Sequence, residues 1–222
     1  MKTQTIAIYG AGGFAREVAW LAESCSGAEV HYEPVCFIDD DENRWGKLLN
    51  GLPVVGLHEA AERFGDAKVV LAVGNPKARE ALAAKAACAG FAFAPLIHPG
   101  VERSRWIEYG EGAVICAGSI LTTNIRLGCH VQINLDCTIG HDVVLGDYTT
   151  LAPGVHVSGW VHFGRRVYVG TGAVLVNGTE ENPLTIGDDV VIGAGACVTK
   201  SIESGTWGGV PARDLHAARN RS

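Results

Sequence analysis

A Rossmann-like α/β domain followed by a parallel β-helix is the fold class this sequence predicts, and three observations predict it. A short apolar run breaks at Gly10-Ala11-Gly12-Gly13 and gives way to apolar residues at helical spacing. Beyond residue 100, apolar residues recur every six positions. Between the two, around Pro95 to Gly100, one pattern replaces the other, which divides the chain into domains at 1–95 and 96–222.

In the first domain, residues 5–9 form a strand, the glycines a tight turn, and residues 14–23 a helix with Phe14, Val18 and Leu21 on one face. Gly10, Gly12 and Ala15 satisfy the spacing of a nucleotide-binding turn. Glycine suits such a turn because phosphate oxygens can then approach backbone N–H groups at the positive end of the helix. A second strand over 35–38 runs into Asp39-Asp40-Asp41, where a carboxylate accepts hydrogen bonds from a ribose or a base edge. A third strand over 68–73 is followed by Gly74-Asn75-Pro76 and a helix over 77–88, with Pro76 suited to the helix start. The βα units stop there, so the second mononucleotide half that a dinucleotide requires is missing. One nucleotide fits better than two.

In the second domain the inward series runs Tyr109, Ile115, Leu121, Leu127, Ile133, Ile139, Leu145, Leu151, Val157, Phe163, Val169 and Leu175. A smaller apolar series four residues on includes Val131, Cys137, Val143, Val155, Val161, Val167 and Ala173, and glycine often follows the first series, as at Gly128, Gly140, Gly146, Gly164 and Gly170. After an interruption over 177–183 the frame resumes at Ile186, Ile192 and Val198. A period of six marks hexapeptide β-helices, in which three units make one coil of a triangular prism. Each corner needs an aliphatic side chain pointing in and a turn that small residues can make.

The 18 Lys and Arg against 24 Asp and Glu give a net charge near −6, which lacks the basic footprint of a nucleic-acid binder. Apolar runs are far shorter than the roughly 18–20 residues of a membrane span, and a cytoplasmic protein is expected. The seven cysteines show no C-x-x-C pair and suit reduced core positions.

Ile8 to Gly13, Phe37-Ile38-Asp39-Asp40, Ala72-Val73-Gly74-Asn75, Ile97-His98-Pro99, Asn134, Ile139-Gly140-His141-Asp142 and Gly209-Val210-Pro211-Ala212-Arg213 together resemble the sugar O- and N-acyltransferase family, which includes bacillosamine-, perosamine- and sialic-acid-modifying enzymes. The resemblance spans residues 5–213 and implies a left-handed prism, a homotrimer with active sites between adjacent prisms, a nucleotide-linked amino sugar held by the first domain, and acetyl-CoA lying along the second. It implies no resident metal.

Acetyl transfer to an amine needs a base and a donor to the oxyanion. Counting from Ile139 places His141 and Asp142 at a corner, His141 as the base and Asp142 as its orienting partner. Gly159, one coil on, offers its N–H to the oxyanion and to bound acetyl-CoA. The resemblance adds Thr171 and Ala194 as backbone contacts to CoA, and charge adds Lys200 and Arg213 for its phosphates. For the nucleotide sugar the candidates are Gly10, Gly12, Gly13, Phe14, Arg16, Asp39, Asp40, Gly74, Asn75, Arg79 and Asn134.

Some bacillosamine-type members carry a second histidine nine residues after the first. Here that position is Thr150, which favours GDP-perosamine over a UDP-linked 4-amino-4,6-dideoxy sugar. Three other readings share the fold: O-acetylation of a free sugar such as sialic acid, a prism without catalysis, and a metal site of about three histidines drawn from His130, His141, His156 and His162.

Overall fold

The computed structural model describes residues 2–25 and 30–216. The chain divides into two compact units, Met1–Pro99 and Gly100–Ser222.

The first unit is built from β1 (Lys2–Tyr9), α1 (Gly13–Ser24), β2 (Val30–Ile38), β3 (Leu48–Leu49), β4 (Leu52–Val55), α2 (Leu57–Phe64), β5 (Lys68–Leu71) and α3 (Pro76–Cys88). Its sheet runs β3-β4-β2-β1-β5, parallel except for the β3–β4 pair. Parallel strands buried on both faces read as continuous apolar runs. Ile6, Ala7 and Ile8, Cys36, Phe37 and Ile38, and Val69 and Val70 are accordingly all fully buried. β1 and β2 begin earlier than expected because their first residues, such as Thr3 and His31, are paired though not buried. The β3–β4 hairpin and α2 fall where the sequence reading assigns no element. Asn50 and Gly51, both at positive φ, make the hairpin turn.

The second unit is a prism of three parallel sheets. One contains Glu102–Arg103, Ile120–Leu121, Thr138–Ile139, His156–Val157, Val174–Leu175 and Cys197–Val198. The next contains Ile107–Tyr109, Ile125–Leu127, Val144–Leu145, Val161–Phe163 and Leu184–Ile186. The third includes Val114–Ile115, Gln132–Ile133, Thr150–Leu151, Tyr168–Val169 and Val191–Ile192. Neighbouring strands are 18 residues apart, as in Ile120 beside Thr138, and 23 apart across the interruption, as in Val169 beside Ile192. The interruption is thus a loop inserted at one corner, after which the register resumes.

Both apolar series point inward. From Ile115 to Leu175 every member of the first is at most 5% exposed, and the named members of the second are fully buried. Each such aliphatic contributes about 1.5–3 kcal/mol of burial. Tyr109 departs from the expectation at 41% exposed, because its strand is the last of its sheet and lacks a coil on one side.

The corner glycines also require a correction. Gly128 and Gly140 do not take the left-handed conformation; a Cβ at either would lie 2.6 Å from the backbone N of Asp147 or Gly159 in the next coil. Glycine is needed there for close approach between coils. The left-handed residue comes two positions later, and Asn124, His130, Asp136, Asp142, Tyr148, Trp160 and Arg166 all occupy it with φ between 54° and 60°.

Candidate active site

In the first unit a cleft of about 390 Å³ is lined by Gly10 to Phe14, Asp39, Asp41, Arg44 and Ala72 to Gly74. Gly10 is fixed by the protein itself: at φ +123° a Cβ would lie 2.9 Å from the Ala72 carbonyl oxygen. Gly12 and Gly74 are different, since a Cβ at either meets nothing within 4 Å and neither has positive φ. Their missing side chains leave room for a ligand. Gly12 also gives α1 no side-chain cap, so the first-turn N–H groups remain for an anion at the cleft.

The structure separates Asp39 from Asp40. Asp39 lines the cleft, accepts the Asp41 N–H at 2.9 Å and lies 3.7 Å from the Arg44 guanidinium. Asp40 is not in the lining. Its carboxylate accepts the Tyr9 hydroxyl at 2.6 Å and the Lys85 ammonium. Burial works to raise the Asp40 carboxyl, but these two hydrogen bonds outweigh it and hold it below the ordinary carboxylate value. Tyr9 is pushed up, first by burial and then by Asp40.

Asn75, Arg79 and Arg16 also lie outside the lining. Asn75 caps α3, its side chain accepting the Ala78 N–H at 3.0 Å. Arg79 is fully buried and donates to the Val73 carbonyl at 2.9 Å, holding the turn that forms the cleft floor. Arg16 is exposed on α1. Arg44, which the sequence reading omits, donates to the Ala11 carbonyl at 2.8 Å and sets a cation in the cleft. A basic residue just after the Asp39–Asp41 run was the only local sign of it.

In the second unit the corner after Thr138–Ile139 brings His141, Asp142 and Gly159 together. Adjacent residues on a strand point to opposite faces. At this corner Asp142 has φ 57°, and its carboxylate Oδ2 lies 2.9 Å from Nδ1 of His141. The His141 ring lies directly against Gly159, where a Cβ would stand 2.5 Å from Nε2. At equivalent corners the N–H groups of Cys129 and Arg165 donate to Asp147 and Asp188 of the next coil. The Gly159 N–H has no such acceptor among the described residues. An imidazole whose Nε2 is unencumbered, a carboxylate on its other nitrogen and a nearby unused amide are what base-assisted acyl transfer requires.

Two further residues surround this corner without any sequence expectation. Trp160 approaches the His141 ring edge-on at 6.4 Å and is itself at φ 57°, an uncommon conformation for a bulky side chain. Asn124 donates through Nδ2 to Asp142 Oδ1 at 3.2 Å. Both line a cavity of about 430 Å³ with Asp142 and His162.

Lys200 belongs to the same corner, three coils on from His141, with its ammonium 5.3 Å from the centre of the Trp207 ring. Thr171 and Ala194 are exposed at the preceding corner, one coil apart. Asn134 is also on that corner, not beside His141, and its side chain donates to the Leu151 carbonyl at 3.0 Å. It acts as a rung between coils. Arg213 is exposed on the final strand, Arg213–Asp214, antiparallel to Thr206–Gly208. Among the described residues, no three or more His, Cys, Asp or Glu side chains are grouped to hold a metal ion, and His156 Nδ1 lies 2.8 Å from Thr138 Oγ1. No helix among those residues is long and apolar enough to cross a membrane.

Residues 5–86 match the family model described as the PglD N-terminal domain. The GDP-perosamine N-acetyltransferase of Escherichia coli O157:H7 is 31% identical over 182 residues, covering 81% of each chain. The acetyltransferase domain of PglB from Neisseria gonorrhoeae FA1090, solved with acetyl coenzyme A, superposes with a TM-score of 0.84 at 31% identity, over 96% of this chain and 100% of that one. The perosamine N-acetyltransferase of Caulobacter crescentus, solved as a histidine-to-asparagine mutant with CoA and GDP-perosamine, gives 0.82 at 30% identity, over 94% and 95%. With that likeness across both units, the chain belongs to the PglD-type sugar N-acetyltransferases of the hexapeptide-repeat family.

Proposed function

We propose that this enzyme transfers the acetyl group of acetyl-CoA to the 4-amino group of GDP-perosamine. The observation that carries the reading is the corner at which His141 Nδ1 meets Asp142 while its ring rests on Gly159. Asp142 holds the tautomer in which Nδ1 carries the proton and Nε2 is the acceptor. The sugar amine attacks the thioester carbonyl, a C–N bond forms, and Nε2 takes the proton the amine releases. The Gly159 N–H donates to the oxyanion of the tetrahedral intermediate. When the C–S bond breaks, the imidazolium returns the proton to the leaving thiolate. The nucleotide is assigned to the cleft of the first unit, with its phosphates at the first turn of α1 and its base or ribose at Asp39.

Likeness to the two perosamine enzymes supports the GDP-linked substrate. So does Thr150, which is buried between Gln132 and Tyr168 of the adjoining coils and presents no second imidazole. Release of CoA thiol, followed with GDP-, UDP- and dTDP-linked 4-amino sugars and with free sialic acid, tests the assignment. GDP-perosamine is expected to exceed the others in kcat/KM by about tenfold or more, since a site built to hydrogen-bond one base leaves polar groups unpaired with another. A higher kcat/KM on the UDP-linked sugar would assign the enzyme to that substrate, equal values on the two would overturn the GDP assignment, and turnover confined to sialic acid would make it an O-acetyltransferase. Assembly as a homotrimer belongs to the same proposal and is tested by light scattering against the protomer mass of 23.4 kDa.

The split between Asp39 and Asp40 gives a second test in the first unit. Asp39→Asn is expected to weaken GDP binding about tenfold while leaving the fold intact. Asp40→Asn is expected to leave GDP binding within about twofold but to lower stability by about 1 kcal/mol, through the Tyr9 hydrogen bond; the exposed pair with Lys85 adds little. Because the folded Asp40 carboxyl is depressed, its stabilisation is present above the unfolded value near 3.9 and is lost as pH falls through the folded one. Calorimetric titration with GDP beside urea melts at pH 7 separates the two roles.

A further inference from the structure

We infer that Asn124 is a positioning residue for acyl transfer, holding Asp142 in the orientation that keeps His141 in place without neutralising the carboxylate. The inference rests on the reading of His141 as the base.

Asn124 and Asp142 are 18 residues apart, so they occupy the same corner in adjoining coils, and both are left-handed, at φ 54° and 57°. The two oxygens of Asp142 are divided between different partners. Oδ2 faces His141 Nδ1 at 2.9 Å, and Oδ1 accepts from Asn124 Nδ2 at 3.2 Å. The backbone of the same coil adds a second hold, since the Asp142 N–H donates to the Thr123 carbonyl at 3.1 Å. The Thr123 hydroxyl lies 3.4 Å from Asn124 Oδ1, in keeping with an amide whose NH₂ faces the carboxylate. A carboxylate held at both oxygens cannot rotate about its Cβ–Cγ bond away from the imidazole.

The choice of an amide is informative when compared with another corner. At the equivalent left-handed positions Arg166 and Asp189, one coil apart, a guanidinium binds both carboxylate oxygens, at 2.8 and 2.9 Å. That arrangement stabilises the stack but ties the carboxylate charge to a permanent cation. At the dyad, asparagine supplies the hydrogen bond and leaves the negative charge to favour the imidazolium that forms when His141 takes a proton. Asparagine also tolerates the left-handed conformation at little cost. The remaining charged and titratable groups around Asn124 and Asp142 are Arg105, Glu108, Arg126 and His162, all lining the same cavity, together with His141 itself. None of them changes between the variants below.

Asn124→Gly removes the donor and keeps the backbone conformation accessible. It is expected to lower kcat about tenfold with KM for both substrates within about twofold, as for loss of a hydrogen bond to a charged group. Asn124→Arg copies the Arg166 arrangement, and is expected to move the acid limb of the kcat/KM profile to lower pH by about half a unit to one unit, because a cation beside Asp142 disfavours the imidazolium. Both are assayed by CoA thiol release from pH 5.5 to 9, with thermal melts to register any loss of fold and His141→Asn measured alongside. A purely structural role predicts a lowered Tm with kcat and both limbs unmoved, and that result overturns the inference when His141→Asn is inactive. If His141→Asn retains activity, the reading of the base fails instead.

Discussion

His141→Asn is expected to lower kcat by about three orders of magnitude while leaving nucleotide binding unchanged. Asparagine can still donate to Asp142, so the corner keeps its hydrogen bond, but it has no nitrogen able to accept a proton near neutral pH. General-base assistance is worth about 10²–10⁴-fold in such reactions. What survives is positioning and the Gly159 amide, together with the fraction of substrate amine that is already neutral. The residual rate should therefore keep rising as pH increases toward the amine pKa. Stability should change by less than about 0.5 kcal/mol, because the His141 side chain is 55% exposed. Thiol-release kinetics and calorimetric titration with GDP give both halves of the result. A variant within tenfold of wild type would remove His141 from the mechanism.

Gly159→Ala should cost about a hundredfold in kcat through one methyl group. The added Cβ would lie 2.5 Å from both Cε1 and Nε2 of His141, closer than a methyl carbon and a ring atom can pack. The Gly159 backbone is not in the left-handed region, so alanine strains nothing locally and the half-exposed imidazole is what must give way. A displacement of about 1 Å at a reacting group can cost about 10² in rate. The N–H proposed for the oxyanion survives the substitution, which makes the loss specific to the ring. Tm is expected to stay within about 2 °C and KM for GDP-perosamine within about twofold. Unchanged kcat would mean that the ring does not rest on Gly159 during turnover.

The hairpin at Leu48–Val55 is legible in the sequence, because Asn50-Gly51 between apolar residues is a strong local signal for a two-residue turn. α2 carries a local signal of the same kind, with Leu57, Ala60, Ala61 and Phe64 at helical spacing, although only Ala60 of its eight residues is buried. Asn124 is marked by the repeat itself, since the 18-residue step that leads forward from His141 to Gly159 leads back from Asp142 to Asn124. Asp39 and Asp40 could not be told apart in sequence. They are neighbours on one short segment, and only the placement of Tyr9 and Lys85 draws one of them out of the cleft.

The sequence by itself determined the βα order of the first unit, the six-residue frame of the second, the corner position of His141 and Asp142, and the place where the frame is interrupted. These are patterns carried by side-chain type at short, regular spacing, and local geometry alone produces them. Tertiary structure decided which groups meet. In the prism the partners of the dyad lie one coil away, 18 or 19 positions along the chain, so a corner amide, a neighbouring asparagine and the space above a glycine have no local signature. The same holds for the corner glycines, whose need for close packing rather than conformational freedom became visible only when the next coil lay against them.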